Sequence, residues 1–357
     1  MVEMRAGSPV VVGVDGSPDA VDAVRWAAEE AGSQGAALHV VHASVWSMLG
    51  HLVPPTVPDG HRQAMLDLAQ RWVREASTAA RAVAPGVEVV ERVVVGDPAA
   101  VLIGESRHAR EVVVASRGLD SPVAELLGST ALRVAQHAGC PVVVIRNVGM
   151  GDPGGPVVVG VDLSAGSDAA VEFAFEHAAR CAATLVALHT WRDVRIREQN
   201  TARSFEWLTV AAEQERLLAE RLASWQDKYP DVEARRVVAR DWPVRRLLEA
   251  ATGARLLVVG SQSHDGLPGT LGSTSQSLLY VAPCPVAIVR GCSPEETAAC
   301  LPAWNMQELA DADTRRCCDP VPRYTPGSST TGAADPPGSA GAHPEPGLLE
   351  PQARRIR

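Results

Sequence analysis

Residues 9–17, PVVVGVDGS, return at 156–164 as PVVVGVDLS, so the chain opens the same strand and acidic turn twice. GCPVVVIR at 139–146 is answered by APCPVAIVR at 282–290, and GSTA at 128–131 by GSTS at 272–275. Asp15 and Asp162 are 147 residues apart and Cys140 and Cys284 are 144 apart, so the copies differ in length by a net three residues. A repeat of this size is a whole folding unit used twice. The predicted organisation is a first domain at 1–147, a Gly- and Pro-rich linker at 148–156, a second domain at 157–291 and a tail at 292–357. From about residue 320 the tail is mostly Pro, Gly, Ser, Thr and Ala, too poor in large apolar groups to offset the entropy of ordering.

Within each copy, short β-branched runs alternate with helical patterns, the signature of a parallel sheet with crossover helices. Strands are expected at 10–14, 37–43, 87–95, 111–116 and 141–146, and again at 157–161, 184–190, 232–239, 256–261 and 285–290. The runs are nearly continuously apolar, as strands covered on both faces should be. Residues 17–42 match 164–189 without a gap, placing Val24, Ala27, Ala28 and Ala31 opposite Val171, Ala174, Phe175 and Ala178. That i, i+3, i+4, i+7 stripe is a helix face laid on a sheet. Longer, more charged helices are expected at 62–84 and 205–228. The fold class is therefore α/β: two doubly wound, Rossmann-like domains in tandem, each with five parallel strands.

Charge and composition exclude several functions. The net charge of −9 argues against a nucleic-acid partner, which needs a basic face. Lys228 is the one lysine among 33 basic residues, which removes lysine catalysis and the P-loop lysine. No apolar run is long enough to span a membrane, and no signal segment opens the chain. The seven cysteines are odd in number and unevenly spaced, a pattern of reduced thiols in a cytoplasmic protein. Gly149, Gly151 and Gly154 match GxGxxG but lead into a strand instead of a helix, so they are linker. His39, His42 and His189 flank the second strands without a nucleophile motif, and a structural role is expected for them.

The chemistry concentrates after the fourth strand. There Ser116 is followed by Gly118 and a loop, then by Gly128, Ser129 and Thr130 at the head of a short helix. A strand end, a glycine-containing loop and a helix N-terminus form an anion site, with free N–H groups and the helix dipole facing the ligand. The competing reading makes Ser129 a helix cap and nothing more.

This stretch resembles the universal stress protein family, whose ATP-binding members carry G-x2-G-x9-G-[ST] after the fourth strand. Here Ala115 stands for the first glycine, and Gly118, Gly128 and Ser129 keep the spacing. The VGVDGS opening, the Gly96-Asp97-Pro98 turn and the CPVVVIR closing strand extend the resemblance over both copies. It implies that Asp15 faces the ribose, that backbone groups near Val40 and Val41 meet adenine, and that Gly118, Gly128, Ser129 and Thr130 hold phosphates, with Arg117 adding charge. In the second copy Asp162, Gly260, Gly272, Ser273 and Thr274 take these places, but Ser263 replaces the second glycine, Gln262 replaces Arg117, and the final Gly-Ser arrives one residue early. Asp15 and Asp120 are candidates for an accompanying Mg²⁺. In relatives the fifth strands pair across a dimer interface; here 142–145 and 286–289 can make that contact within one chain, with a homodimer and an unknown protein partner as further associations. The implied function is cytoplasmic ATP or other adenine-nucleotide binding that reports stress or energy state. A nucleotide-independent interaction module and a slow ATPase remain open alternatives.

Overall fold

A computed structural model describes residues 7–44, 59–118, 127–146, 151–191, 204–261 and 270–291. The chain divides into two compact units, Met1–Leu301 and Pro302–Arg357, and the described residues all lie in the first. The predicted tail, including Cys317 and Cys318, falls outside them.

All ten predicted strands are present, with ends shifted by a residue or two. The first half contains β1 (Val10–Gly13), α1 (Pro18–Gln34), β2 (Leu38–Ser44), α2 (Asp59–Val83), β3 (Val89–Val95), α3 (Pro98–Glu105), β4 (Glu111–Ala115), α4 (Ser129–His137) and β5 (Val142–Ile145). The second half repeats this as β6 (Val157–Val161), α5 (Asp168–Cys181), β7 (Leu185–Trp191), α6 (Ser204–Lys228), β8 (Ala234–Arg240), α7 (Pro243–Ala251), β9 (Leu256–Gly260), α8 (Ser273–Val281) and β10 (Val286–Val289). It also has a 3-10 turn at Ala165–Ser167, before α5.

The strands form one ten-stranded sheet in the order β3-β2-β1-β4-β5-β10-β9-β6-β7-β8. Each half is parallel throughout, and the join between β5 and β10 is antiparallel. At the join Val143 faces its own repeat counterpart, Ala287, while Val142 pairs with Ile288 and Val144 with Val286. A pseudo-two-fold axis therefore passes between Val143 and Ala287. The eight side chains of β5 and β10 are at most 3% exposed. The apolar edges that each half would otherwise leave open are covered by one another.

Two apolar layers clothe the sheet, and both run across the seam. One gathers α1, α2, α5 and α6 over alternate strand residues such as Val10, Val12, Val143, Val159 and Ala287. The other gathers α3, α4, α7 and α8 over Val11, Val112, Val144, Val158 and Val286. The period of two along each strand sends successive side chains into opposite layers, which explains the unbroken apolar runs. Small residues on α1 (Ala20, Ala23, Ala27, Ala28 and Ala31, all at most 3% exposed) let that helix lie close against the sheet.

Candidate functional site

The strand order places a topological switch between β1 and β4, and crevices at the carboxyl ends of such strands are where doubly wound sheets bind ligands. Asp15 sits there, just beyond β1. Its Oδ1 accepts the Ser17 N–H at 2.9 Å, and Ser17 in turn caps α1 by accepting from Ala20 N–H at 3.2 Å. Its Oδ2 reaches the end of the β4 segment: a Cβ on Gly118 would lie 2.5 Å from it. Any side chain at 118 would displace the carboxylate, so the glycine is required by close approach.

Gly128 closes the other side. Its N–H donates to the Ser116 carbonyl at 2.7 Å, and a Cβ there would lie 3.4 Å from that same oxygen. Gly128 is also the residue that caps α4, so the cap brings no side-chain hydrogen bond to the first turn. The helical ladder starts with Leu132 N–H donating to Gly128 at 3.1 Å, leaving the N–H groups of Ser129, Thr130 and Ala131 without intrahelical partners. Ser129 is the first helical residue and exposed, so it is not the cap. Asp15, Gly118, Gly128, Ser129 and Thr130 thus converge on one end of the sheet.

Of the expected site residues, Val40, Val41 and Arg117 are engaged within the fold. Val40 and Val41 do not lie at a strand's carboxyl end: β2 continues to Ser44, both valines are at most 1% exposed, and they are paired with β1 on one side and β3 on the other. The Val41 carbonyl already accepts Val14 N–H at 2.9 Å. The strand's true end is Ala43–Ser44, where Ser44 carbonyl accepts Gly96 N–H at 3.1 Å. Arg117 points its guanidinium at Asp19, Nη2 to Oδ2 3.1 Å, with the two side chains 14% and 17% exposed. Its charge is matched within the protein. Asp120 lies outside the described residues, and among the described residues no group of three or more His, Cys, Asp or Glu could hold a metal ion.

The second half repeats the frame with different detail. Gly272 N–H donates to Ser261 carbonyl at 2.8 Å, and Gly272 caps α8 without a side-chain bond, ahead of Ser273 and Thr274. Gly260 ends β9 and its carbonyl is taken by the Ser275 hydroxyl at 2.6 Å. Asp162 folds back on its own turn, accepting from both the N–H (2.9 Å) and the hydroxyl (2.6 Å) of Ser164. Leu163 stands where the first half has Gly16 and takes φ 62°, and its carbonyl is held by Arg221 at 2.6 Å. Gln262, Ser263, His264 and Asp265 are outside the described residues.

The Universal stress protein family model matches residues 8–146 and again 155–290. The chain belongs to the universal stress protein family. A universal stress protein of Mycobacterium tuberculosis (strain ATCC 25618 / H37Rv) is 37% identical over 291 residues, covering 79% of this chain and 96% of the relative. The crystal structure of a universal stress protein from Archaeoglobus fulgidus DSM 4304 superposes with a TM-score of 0.60 at 21% identity, covering 81% of this chain and 99% of that one. Another Archaeoglobus fulgidus universal stress protein, solved in complex with dAMP, is 25% identical and covers 40% of this chain and 100% of that chain, with a TM-score of 0.31.

In this universal stress protein the carboxyl end of the first half contains residues that sequence reasoning missed. Trp72 of α2 lies over Gly16, whose φ is +85°; a Cβ on Gly16 would fall 2.4 Å from the indole. His42 meets Trp72 edge-on, ring centroids 5.3 Å apart, and its Nδ1 is 2.8 Å from the Val14 carbonyl. In the second half His189 holds the Val161 carbonyl at 2.7 Å and its Nε2 meets Gln214 at 3.0 Å. Asp97 caps α3 through Ala100 N–H at 2.9 Å and pairs with Arg133 of α4 at 2.9 Å, tying the third helix to the helix behind the anion site.

Proposed function

We propose that the chain binds an adenine nucleotide, ATP in the first instance, at the carboxyl end of its first half, and that it works as a cytoplasmic regulator tied to stress or energy state. The observation that carries this reading is the meeting of the Asp15 carboxylate with Gly118 beside the α4 N-terminus, which a glycine caps. A carboxylate accepts from ribose hydroxyls, while three N–H groups and a helix dipole suit phosphate oxygens. Family membership supports the same assignment. Mg²⁺ would arrive with the phosphates and share Asp15. The reading is of binding without turnover: the described carboxylates at this end, Asp15 and Asp19, are engaged in turn and ion-pair contacts. The second half is the weaker binder, because Ser263 stands for the second glycine and Gly272-Ser273 arrives one residue early.

Calorimetry of the full chain with ATP tests this. About one ATP per chain is expected, with affinity at least tenfold weaker in Asp15→Ala and nearly unchanged in Asp162→Ala. No binding heat, together with no nucleotide released from the purified protein on heating, would overturn the proposal in favour of a nucleotide-independent interaction module. Phosphate release that disappears in Asp15→Ala would instead make the protein an ATPase.

A further inference from the structure

The gap-free match of 17–42 to 164–189 makes Glu30 the counterpart of His177, Trp26 of Phe173, Ser33 of Arg180 and Gln34 of Cys181. The pseudo-two-fold axis brings these counterparts face to face where α1 meets α5. Glu30 is 3% exposed and His177 fully buried. Glu30 Oε1 lies 3.4 Å from His177 Nδ1 and also takes a close contact from Arg180 Nη2. The imidazole is stacked between Trp26 (6.1 Å, 5°) and Phe173 (6.2 Å, 17°). Around them, Gln34 Nε2 donates to Glu30 at 2.6 Å and to Glu111 of β4 at 2.9 Å, Arg110 donates to Gln34 at 3.2 Å, and Cys181 Sγ lies 3.7 Å from His177 Nε2.

We propose that Glu30 on α1 and His177 with Arg180 on α5 form a charge-coded recognition surface that makes each half select the unlike half as its partner. The backbone of the seam carries no such preference, since β5 and β10 are both short apolar strands that could equally pair with a copy of themselves. Like-with-like pairing of first halves would set Glu30 against Glu30, with Ser33 where Arg180 supplies the cation. Two carboxylates that close cannot both ionise. Like-with-like pairing of second halves would bury two His177 and two Arg180 together with no carboxylate in the place of Glu30, leaving Glu176 as the anion their own half offers Arg180. A buried charge left without its partner is strongly destabilising, whereas the unlike arrangement sets the carboxylate against both cations. Both groups carry charge at neutral pH. Burial works to raise the Glu30 carboxyl, but the His177 hydrogen bond and charge and the Arg180 charge outweigh it and hold it at about 2. Burial works to lower His177, but its bonds to Cys181 and Glu30 lift it to about 9.

A charge-exchange cycle in the full chain tests the code. Glu30→His and His177→Glu should each lower Tm at pH 7 by about 5 °C or more, and the double exchange should regain more than half of the summed loss. A double variant whose loss equals the sum of the singles overturns the proposal, since a role in packing alone predicts additivity. Should a single exchange fail to fold, Glu30→Gln and His177→Gln keep the shapes and remove the charges. Their denaturation midpoints must then be non-additive, and additive midpoints refute the code equally.

Discussion

Replacing Glu111 with leucine should stabilise the protein at pH 8 and do almost nothing at pH 5. Glu111 opens β4 inside the seam, 1% exposed. Oε1 accepts from Gln34 at 2.9 Å, while Oε2 has no hydrogen-bond partner. Its repeat counterpart on β9 is Leu256, fully buried among apolar neighbours, so the site suits a leucine. Burial, with the Glu30 charge adding to it, pushes the Glu111 carboxyl up to about 8 from an ordinary 4.5, against the pull of Arg180 and His177. The unfolded chain therefore gives up this proton near 4.5 and the folded chain keeps it to about 8. Between those values the folded state binds the extra proton, so stability falls as pH rises, and the loss is complete near pH 8.

The span from 4.5 to about 8 is 3.5 pH units, and at about 1.36 kcal/mol per unit the ceiling is about 5 kcal/mol. Removing the acceptor of Gln34 costs about 1 kcal/mol. The net gain for Glu111→Leu at pH 8 is then on the order of 4 kcal/mol, and at pH 5 the two effects nearly cancel. Urea denaturation followed by tryptophan fluorescence at pH 5, 6, 7 and 8 measures the difference curve. His177, lifted to about 9, makes its own contribution, present below 6.5 and lost as pH rises through 9. Glu111 and His177 feel each other's charge, so the difference curve carries their coupling as well as the Glu111 titration. Glu111→Gln, neutral throughout and still an acceptor, should flatten the profile in the same way. Parallel pH profiles for the wild-type and leucine proteins would refute the reasoning.

Two further outcomes follow from the seam and its helices. Arg146 donates to the Leu279 carbonyl in the last turn of α8 at 2.5 Å, and Arg290 reaches the Gln136 carbonyl in the last turn of α4. Each arginine satisfies a helix-end carbonyl of the opposite half. Arg146→Ala and Arg290→Ala should each cost about 1–3 kcal/mol in chemical denaturation, and losses below about 0.5 kcal/mol would show that these bonds are exchanged for water without penalty. Ala182 ends α5 at φ 50°, where its counterpart Gly35 ends α1 at φ 59°, and Ala182 is exposed. Ala182→Gly should therefore raise stability by about 0.5–1 kcal/mol in thermal unfolding, and a destabilised variant would contradict that reading of the cap.

The duplication made the sheet legible, because each run such as 10–14 or 157–161 is apolar on both faces and each is seen twice. The pairing of 142–145 with 286–289 is what the family resemblance implies, and two apolar edges that cover one another agree with it. Strand ends were harder. How far β2 extends past β1, and so past Val40 and Val41, is set by register with β3, where all seven residues from Leu38 to Ser44 find partners. The Trp72–Gly16 contact joins a helix to a turn with no periodicity linking them, so nothing local marks it. Other signals were present and unread. Arg146 and Arg290 close both copies at the same place, and Glu30 interrupts an otherwise apolar helix face opposite His177 in the gap-free match. A charged residue on a buried stripe asks for a partner, and the repeat itself names where that partner sits.

Helix α1 connects the two features that distinguish this chain. Its N-terminal turn belongs to the candidate site: Ser17 caps it and takes up Asp15, and Asp19 holds Arg117 of the loop after β4. Its C-terminal half belongs to the seam, through Trp26, Glu30 and Gln34. The helix is 17 residues long, about 25 Å at 1.5 Å per residue, and Ala20, Ala23, Ala27, Ala28 and Ala31 hold it tightly to the sheet. α5 differs at the site end. It starts after an added 3-10 turn, its capping residue Ser167 makes no side-chain cap bond, and Arg221 of α6 ties down both Leu163 and Asp168. The two halves therefore share a backbone but divide its uses. The first presents Asp15 at the head of a helix that also reaches the partner half, and the second contributes the cations that the first half's buried carboxylate requires.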